Sequence, residues 1–439
     1  MAEPVARLDP ASIMRGRQFI VLLALAAVVG LVASFAAWCF LEAIHEIQDG
    51  VYADLPNALG YDSAPLWWPL PVLVLAGVVA AFAIARLPGR GGHEPADGLN
   101  PSSTRPIDLP GVMLAALASI GLGVVLGPEA PLIALGGGLG LLAIRLARRD
   151  APPEVATVIA ASGTFASLSF LFGSPLIAAV IVIEASGLGG PRLPLVLLPG
   201  LLAAGIGSLV EVGMGSWTGV NTSDISLSVL PLPDFPRPDL VEFLWTIPFA
   251  AAVAIGVFVI FRIGKATQKI VAPRPLLLLP AVGLAVGGLA IGFAETTDKG
   301  VHEVLFSGQD ALSPLIAHAD TWSLSALALL LGFKGLAYGV SLGSFRGGPV
   351  FPAMFLAAAG GLMAAQLPGF SITPAVAVGI GASVAAGLTL PLSAVVLATL
   401  LTSQAGLGVS PLIILGVTVA YLTTLALSAR PIEPSPAVS

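Results

Sequence analysis

The sequence predicts an all-α polytopic membrane protein built from two repeats that contain broken helices. Three observations lead to this fold class. Hydrophobic residues make up 56% of the 439 residues and charged residues only 10%, whereas soluble domains carry about 25% charged residues. Many apolar stretches approach the about 20 residues that a helix needs to cross a bilayer. A pair of motifs also recurs in the same order in each half of the chain.

Apolar stretches of two kinds follow one another along the chain. The strong predicted spans are 19–44, 66–87, 111–125, 194–212, 243–263, 276–294, 321–341 and 411–428. Shorter apolar pieces, interrupted by Gly and Pro, are 129–147, 155–168, 173–188, 350–366, 373–388 and 391–405. Several of these are too short to cross the bilayer at about 1.5 Å per residue. Broken helices at membrane depth are tolerated only where the backbone is buried in protein or lines a wet cavity.

The charge distribution predicts the orientation and the domain boundaries. Basic residues gather in short connections, namely Arg15, Arg17, Arg86, Arg90, Arg145, Arg148, Arg149, Arg262, Lys265, Lys269 and Arg274. By the positive-inside rule these connections and the N-terminus face the cytoplasm, and we expect a multi-pass protein of the inner membrane. The predicted segments are a cytoplasmic tail 1–17, a first membrane repeat 18–212, an extracellular connection 213–241, a second membrane repeat 242–430 and a tail 431–439. Cys39 is the one cysteine, which excludes an intramolecular disulfide, and we expect it in the core.

The repeat is carried by two pairs of motifs. GPEAPLIALGG from Gly127 and GPVFPAMFLAAAGG from Gly348 share the frame Gly-Pro-x-x-Pro followed by an apolar run. Roughly 45 residues after each frame lies a second pair, SPLIAAVIVIEASGLG from Ser174 and LPLSAVVLATLLTSQAGLG from Leu390. Interrupted short segments at corresponding positions of two halves indicate a transporter binding site near the middle of the membrane.

The Gly-Pro-x-x-Pro frame is typical of a helix start, because Gly permits a sharp turn and Pro suits the first helical position. First-turn N–H groups have no partner within the helix, and the helix dipole adds about half a positive charge there. An anion is the natural partner of such an end. Two ends, one in each half, therefore predict one shared anion site. Its frame residues are Gly127, Pro128, Pro131, Gly348, Pro349 and Pro352.

Glu129 lies inside the first frame, in a chain with few charges. We interpret it as a tethered anion that occupies the positive site and leaves when it is protonated or displaced. The alternative is that Glu129 only caps a helix that begins at the water interface. Val350 at the equivalent position of the second frame is apolar, which favours the first interpretation.

These segments resemble the CLC family of chloride channels and proton–chloride antiporters. LGPEAPLIALGG is similar to the family's Gly-(Arg/Lys)-Glu-Gly-Pro segment, GGPVFPAM to its Gly-Gly-x-Phe-x-Pro segment, and GGHEPADGL stands where the family has Gly-Ser-Gly-Ile-Pro. The resemblance covers roughly 18–430. It implies two inverted-topology repeats with tilted helices, no C-terminal regulatory domain, and a homodimer with an independent anion pore in each subunit. It implies that Glu129 is the gating glutamate, and it places the anion at Gly92, Glu129, Ala130, Val350 and Phe351.

The sequence departs from the family pattern at several of these positions. Gly92 stands where the family has the serine whose hydroxyl coordinates the central anion. We therefore expect weaker chloride binding and poorer discrimination among chloride, bromide and nitrate, and Gly92→Ser should sharpen that discrimination. Pro128 and Pro349 each remove one possible N–H donor. Ala185 replaces the internal glutamate that antiporters use to relay protons, and Glu433 stands where the family has its pore tyrosine.

Other polar residues have simpler interpretations. Glu184 is interpreted as a helix-end or packing residue, although an intramembrane carboxylate is functional by default. No third ligand accompanies the pair His93-Glu94 at metal-binding spacing, so we predict a loop and no metal site. His302-Glu303 and His318 are placed in or near an exposed connection. Either Lys334 or Arg346 raises the local potential for anions, or both side chains snorkel to the interface, which we favour.

The predicted function is transmembrane transport of chloride or a similar small anion through a pore in each subunit, gated by Glu129 and without strict proton coupling. The alternative is a proton-coupled antiporter for chloride or another halide such as fluoride. A more distant alternative is a cation-coupled secondary transporter, for which the second frame offers no carboxylate. No nucleophile elbow, His-Glu metal pair or convergent acid pair supports an intramembrane enzyme. The expected partners are a small inorganic anion, the lipid bilayer and a second copy of the chain, with no nucleic acid and no cofactor besides the transported anion.

Overall fold

The computed structural model describes residues 14–99, 104–147, 150–187, 189–190, 193–218 and 226–428. This part of the chain is helical, with one isolated β-bridge between Gly127 and Gly348. The α-helices are α1 (Arg17–Asp49), α2 (Pro69–Arg86), α3 (Leu109–Ile120), α4 (Glu129–Ala147), α5 (Pro153–Phe172), α6 (Pro175–Ser186), α7 (Leu193–Thr218), α8 (Leu240–Val271), α9 (Pro275–Thr296), α10 (Gln309–Ala317), α11 (Leu324–Leu342), α12 (Val350–Ala364), α13 (Ile372–Leu388), α14 (Pro391–Leu401) and α15 (Ser410–Ser428).

Nine helical stretches in the described residues are long and apolar enough to cross a membrane. The first of them runs from Arg17 to Ala58, because α1 continues through a π-helical segment, Gly50–Asp54, into one further turn. Shorter apolar helices, among them α6, α12, α13 and α14, lie between the spans. The prediction of a polytopic α-helical membrane protein with broken helices is confirmed.

The two halves of the chain have inverted topologies. Helix α2 and its counterpart α9 pack in opposite directions: Gly77 faces Leu279, while Gly283 faces Leu73. A Cβ atom on Gly77 would lie 2.6 Å from the Leu279 carbonyl, so glycine is needed for this close approach. The counterparts α6 and α14 also contact each other. Equivalent elements that meet antiparallel are what an inverted repeat produces, and the predicted fold class is confirmed.

Close helix packing positions α4. Gly136 of α4 and Gly163 of α5 face each other, and a Cβ atom on Gly136 would overlap with the carbonyl of Gly163. The Ser167 hydroxyl of α5 donates to the carbonyl of Leu132 at 2.9 Å. Small residues and interhelical hydrogen bonds are the usual means of association inside a membrane. The start of α4 is therefore fixed by the helix behind it.

Several sequence-based boundaries differ from the structure. The span predicted over 111–125 is the shorter helix α3, which ends at Ile120 because Gly121 and the left-handed Gly123 (φ 98°) turn the chain toward Glu129. Helix α7 continues to Thr218, past the predicted start of the connection at 213. The short helix α10 was not predicted. Cys39 is exposed rather than buried in the core, because it lies on the outer face of α1.

Candidate anion site

The two Gly-Pro-x-x-Pro frames lie side by side. The amide of Gly127 donates to the carbonyl oxygen of Gly348 at 2.8 Å, and the amide of Gly348 donates to the carbonyl oxygen of Gly127 at 2.5 Å. Directly after this bridge, α4 begins at Glu129 and α12 begins at Val350. The starts of two helices from different repeats are thus next to each other, which is the arrangement that one shared anion site needs.

The carboxylate of Glu129 lies at the start of α12, the helix of the other repeat. The side chain is 0% exposed, and its Oε1 accepts a hydrogen bond from the amide of Phe351 at 2.9 Å. The amide of Val350 also faces the carboxylate. Oε2 is buried and has no hydrogen-bond partner in the described part of the chain. Because first-turn amides carry the positive end of the helix dipole, the carboxylate occupies a position that suits an anion.

The two bridge glycines leave room for this carboxylate. A Cβ atom on Gly127 would lie 2.6 Å from Oε1, and a Cβ atom on Gly348 would overlap with Oε2. Neither glycine has a positive φ, so space and not backbone conformation requires them. The two glycines therefore form a pocket for the carboxylate that a single added methyl group would fill.

Aromatic side chains fix the turn that precedes α12. Tyr338 is fully buried, and its hydroxyl donates to the carbonyl of Pro349 at 2.5 Å. Phe351 stacks on Phe172 of α5, with ring centroids 5.8 Å apart and an interplanar angle of 19°. Sequence analysis did not identify Tyr338 as a site residue. The only signal for it in the sequence was a single tyrosine hydroxyl within an apolar stretch.

Cavities flank Glu129 on both sides along the chain. The Gly92 cavity has a volume of about 330 Å³ and reaches Ala130, which follows Glu129. Its lining residues are Gly89, Gly91, Gly92, His93, Thr104, Arg105, Asp108, Val112, Ala130, Pro131, Ile133, Ala134, Arg346 and Gly347. A cavity of about 30 Å³ reaches Pro128, which precedes Glu129, and shares His45 with a neighbouring cavity of about 360 Å³. The two chain neighbours of Glu129 thus line different cavities, Ala130 the Gly92 cavity and Pro128 the smaller of the two His45 cavities.

The membrane side of each cavity follows from the chain path. Helix α1 crosses away from Arg17, and α2 returns to end at Arg86. The Gly92 cavity follows the end of α2 and therefore lies toward the side on which α1 begins. His45 lies late in α1, toward the opposite side. Gly92 and Ala130 both line the Gly92 cavity. Val350 and Phe351 lie on the other side of the carboxylate, in the first turn of α12.

Residues 98–425 match the voltage gated chloride channel family. The chain belongs to this family. The putative ion-transport protein YfeO of Salmonella schwarzengrund (strain CVM19633) is 29% identical over 367 residues, which is 80% of this chain and 81% of that protein. The protein of the same name from Escherichia coli O7:K1 (strain IAI39 / ExPEC) is 28% identical over 355 residues, 80% of each chain.

Solved structures of CLC proteins share the fold. A slow cyanobacterial Cl⁻/H⁺ antiporter superimposes with a TM-score of 0.73 at 19% identity, over 93% of this chain and 95% of that one. A CLC-type fluoride/proton antiporter superimposes with a TM-score of 0.68 at 18% identity, over 92% and 95%. The resemblance drawn from the motifs is confirmed as a family relationship.

Within this CLC fold, Gly92 cannot simply exchange for the serine of the family pattern. Its φ of 90° and ψ of −161° lie in a region that residues with side chains rarely adopt. A Cβ atom there would lie 3.0 Å from Cγ1 of Val112. A serine at this position would therefore strain the loop, and the expected effect of Gly92→Ser on anion discrimination stays a prediction.

The carboxylate next to Ala185 is engaged elsewhere. Glu184 accepts hydrogen bonds from the amide of Leu392 at 2.9 Å and from the amide and hydroxyl of Ser393 at 2.7 and 2.6 Å. These are first-turn groups of α14, so Glu184 caps a helix of the second repeat. The helix-end interpretation agrees with this geometry. Ala185 itself is half-buried in α6.

Two cations thought to reach the interface are buried instead. Lys334 is 0% exposed, and its Nζ donates to the carbonyls of Glu303 and Leu305 at 2.9 Å and to those of Val304 and Phe306 at 3.3 Å. Arg346 is 6% exposed and lines the Gly92 cavity. The snorkelling interpretation is wrong for both, because each finds acceptors inside the protein.

The loop that follows Gly92 is held by charged groups. Glu94 bonds to Gln268 of α8 and lies 3.3 Å from Arg346. Asp97 pairs with Lys265 of α8. Burial would raise the pKa of Asp97, but the hydrogen bond and positive charge of Lys265 outweigh it and lower that pKa. The loop is therefore tied to the second repeat.

The remaining predicted residues lie outside this site. His93 is in the loop and contacts the carbonyl of Gly98 at 3.0 Å through Nε2, and it lines the Gly92 cavity. His302 and His318 are exposed. A hydrogen bond to Glu303 raises the pKa of His302 above its ordinary value, although partial desolvation of the ring opposes the shift. Glu433 lies outside the described residues.

Proposed function

We propose that this CLC-family protein conducts a small monovalent anion, chloride or a similar ion, through a pore within each chain and that Glu129 gates the pore. The observation that carries this proposal is the bond between Oε1 of Glu129 and the amide of Phe351. The same first-turn amides suit a diffusible anion. An anion and the carboxylate compete for them, so the pore is closed when Glu129 is charged and in place.

The orientation and assembly are part of the proposal. By the positive-inside rule, the side that carries Arg86, Arg90 and the end of α8 is cytoplasmic, so the Gly92 cavity faces the cytoplasm and the His45 cavities face outward. The protein then lies in the cell membrane as a homodimer, with one pore in each subunit, as the family resemblance implies.

We further propose that anion flow has no fixed proton stoichiometry. The family's relay position is Ala185, which carries no proton. Both oxygens of the adjacent Glu184 already accept hydrogen bonds from α14. The second candidate is proton-coupled exchange, which the titles of both structural neighbours state for those proteins. Glu94, beside the Gly92 cavity, is the carboxylate that would favour it.

The test is ion flux in liposomes that contain the purified protein. Chloride gradients are compared with sodium gradients for the wild type, Glu129→Gln and Glu129→Ala. The proposal expects chloride flux, no sodium flux, and faster chloride flux in both variants, because each removes the tethered charge while the amides of α12 stay in place. Sodium-driven flux would favour a cation-coupled transporter instead. Equal chloride flux in all three proteins would refute gating by Glu129.

A further inference from the structure

Arg346 is a buried arginine in the wall of the Gly92 cavity. It directly precedes Gly347 and the bridge glycine Gly348, and its amide donates to the hydroxyl of Ser119 in α3 at 3.2 Å. Its backbone is therefore anchored to the first repeat. Arg346 lines the same space of about 330 Å³ as Ala130 in the first turn of α4.

The donors of this guanidinium are only partly used. One terminal nitrogen donates to the carbonyls of Ser344 at 3.3 Å and Phe345 at 3.2 Å, and the other donates to Glu94 at 3.3 Å. All three bonds are longer than the usual 2.9–3.0 Å. The Nε–H is buried and has no partner among the described residues. An arginine stays charged and presents five donors, so the guanidinium of Arg346 has donor capacity that the described residues do not use.

The other charges around the cavity are better paired. Arg105 bonds to both oxygens of Asp108, at 2.8 and 3.1 Å, and Asp97 pairs with Lys265. Among the described carboxylates, only Glu94 is in ion-pair contact with Arg346, through one long bond. The positive charge that remains least neutralised in this wall is therefore that of Arg346.

We propose that the guanidinium of Arg346 binds the transported anion in the Gly92 cavity before it reaches Glu129. Glu94 competes with that anion for the guanidinium. The inference rests on the proposed function and extends it, because this ligand is a side-chain cation and not a helix end. Its ligand class is a small monovalent anion, such as a halide or nitrate, since Ser344, Phe345 and Glu94 already use three of the five guanidinium donors.

Opposite effects of two neutralising variants test this assignment. Purified protein is titrated calorimetrically with sodium bromide against sodium gluconate at constant ionic strength. Arg346→Gln should weaken bromide binding by at least about tenfold, the loss of one charge-assisted hydrogen bond. Glu94→Gln should strengthen it, because the guanidinium loses its competitor. If the pair were only structural, both variants would disturb the loop and weaken binding together.

A matched control and a positional measurement complete the test. Asp97→Asn removes the same charge from the same loop, but the partner of Asp97 is Lys265, so its effect on bromide affinity should be smaller than that of Glu94→Gln. The bromide should also appear, by anomalous scattering, within hydrogen-bonding distance of the guanidinium of Arg346. Bromide found only at the helix starts, or an unchanged affinity in folded Glu94→Gln protein, would overturn the inference.

The binding result is separable from the flux result. Glu129-dependent chloride flux without Arg346-dependent bromide binding would refute this inference and leave the proposed function intact. Bromide bound at Arg346 in a protein that carries no anion flux would refute the proposed function and leave the binding site. If Arg346→Gln does not yield folded protein, Glu94→Gln and the bromide position decide the question.

Discussion

Gly127 and Gly348 exchange both of their backbone hydrogen bonds across the two repeats, at 2.8 and 2.5 Å. The pair joins the starts of α4 and α12 and leaves the space in which the Glu129 carboxylate lies. A side chain at Gly348 and the carboxylate of Glu129 therefore compete for the same volume. Glycine is required here by the neighbouring acid.

We predict that Gly348→Ala destabilises the protein by about 1–3 kcal/mol, the usual cost of overpacking. In the Glu129→Ala background the same change should cost much less, because the carboxylate that the methyl group meets is gone. Unfolding of the single and double variants in detergent micelles measures this difference. Additive effects in the two backgrounds would show that Glu129 does not occupy this space.

A second prediction concerns Glu184. Glu184→Gln should destabilise the protein by about 1–2 kcal/mol, because it weakens charge-assisted bonds to the start of α14 and the site is half-buried. Ser393→Ala, which removes only the hydroxyl partner, should cost less. Neither variant should change the reversal potential of the anion current. A shifted reversal potential in Glu184→Gln would show that this carboxylate takes part in proton transfer.

The lengths of the apolar stretches and the low charge content predicted the fold well, because few backbone structures are possible inside a membrane. Helices must satisfy their own backbone groups there, so apolar stretches and Gly-Pro breaks marked most of the elements. The frames at Gly127 and Gly348 predicted two adjacent helix starts because an unsatisfied helix end needs a partner. The end of α3 at Ile120 was less visible, since the apolar run continues through the glycine turn.

Charged residues were harder to place than apolar ones. Hydropathy assigned Lys334 and Arg346 to the interface because a lone cation in an apolar segment is costly. Their partners are backbone carbonyls and, for Arg346, also a carboxylate that is distant in sequence, and no local pattern predicts such partners. The positive φ of Gly92 could not be predicted either, because matching a motif compares residue types and not backbone angles.

The buried ammonium of Lys334 leads to a third prediction. Lys334→Met should destabilise the protein by at least about 2 kcal/mol, because the carbonyls from Glu303 to Phe306 lose a charged donor. The matched control is Lys299→Met: Lys299 is only half-buried, and its Nζ contacts the Thr321 carbonyl at 3.1 Å and lies 4.8 Å from the centroid of the Trp322 ring. That change should cost less than about 1 kcal/mol. Similar losses in both variants, measured by denaturant unfolding, would contradict the assigned role of Lys334.

The His302–Glu303 pair predicts a small dependence of stability on pH. The hydrogen bond to Glu303 raises the pKa of His302 in the folded protein, so its stabilisation is present below the unfolded value of about 6.5. It is lost as the pH rises through the raised pKa. His302 is exposed and Glu303 is half-buried, and solvent screening at the exposed ring limits the effect to about 0–1 kcal/mol. His302→Gln and Glu303→Gln should flatten the same part of the profile of melting temperature against pH, and a steeper profile in either variant would contradict this origin.

The last prediction concerns coupling. Exchange at a fixed ratio needs a proton route from the cytoplasm to Glu129. The family resemblance places the relay position at Ala185, and a neighbouring residue on a helix points about 100° away. The side chain of Glu184 points toward α14 and caps the start of that helix. Glu94 lies nearer the Gly92 cavity, but it is bound to Gln268 and Arg346. We therefore expect anion flow without a fixed proton stoichiometry.

The measurement is the reversal potential in liposomes under opposed chloride and pH gradients. An uncoupled pathway follows the chloride gradient alone, so the potential should stay constant when only the pH gradient changes. Glu94→Gln supplies the decisive control. If the wild-type potential moves with the pH gradient at a fixed ratio, and Glu94→Gln abolishes that dependence, the protein is an antiporter whose protons pass through the Gly92 cavity. A pH-dependent potential that survives in Glu94→Gln would instead place the proton route elsewhere, and either result would refute uncoupled flow.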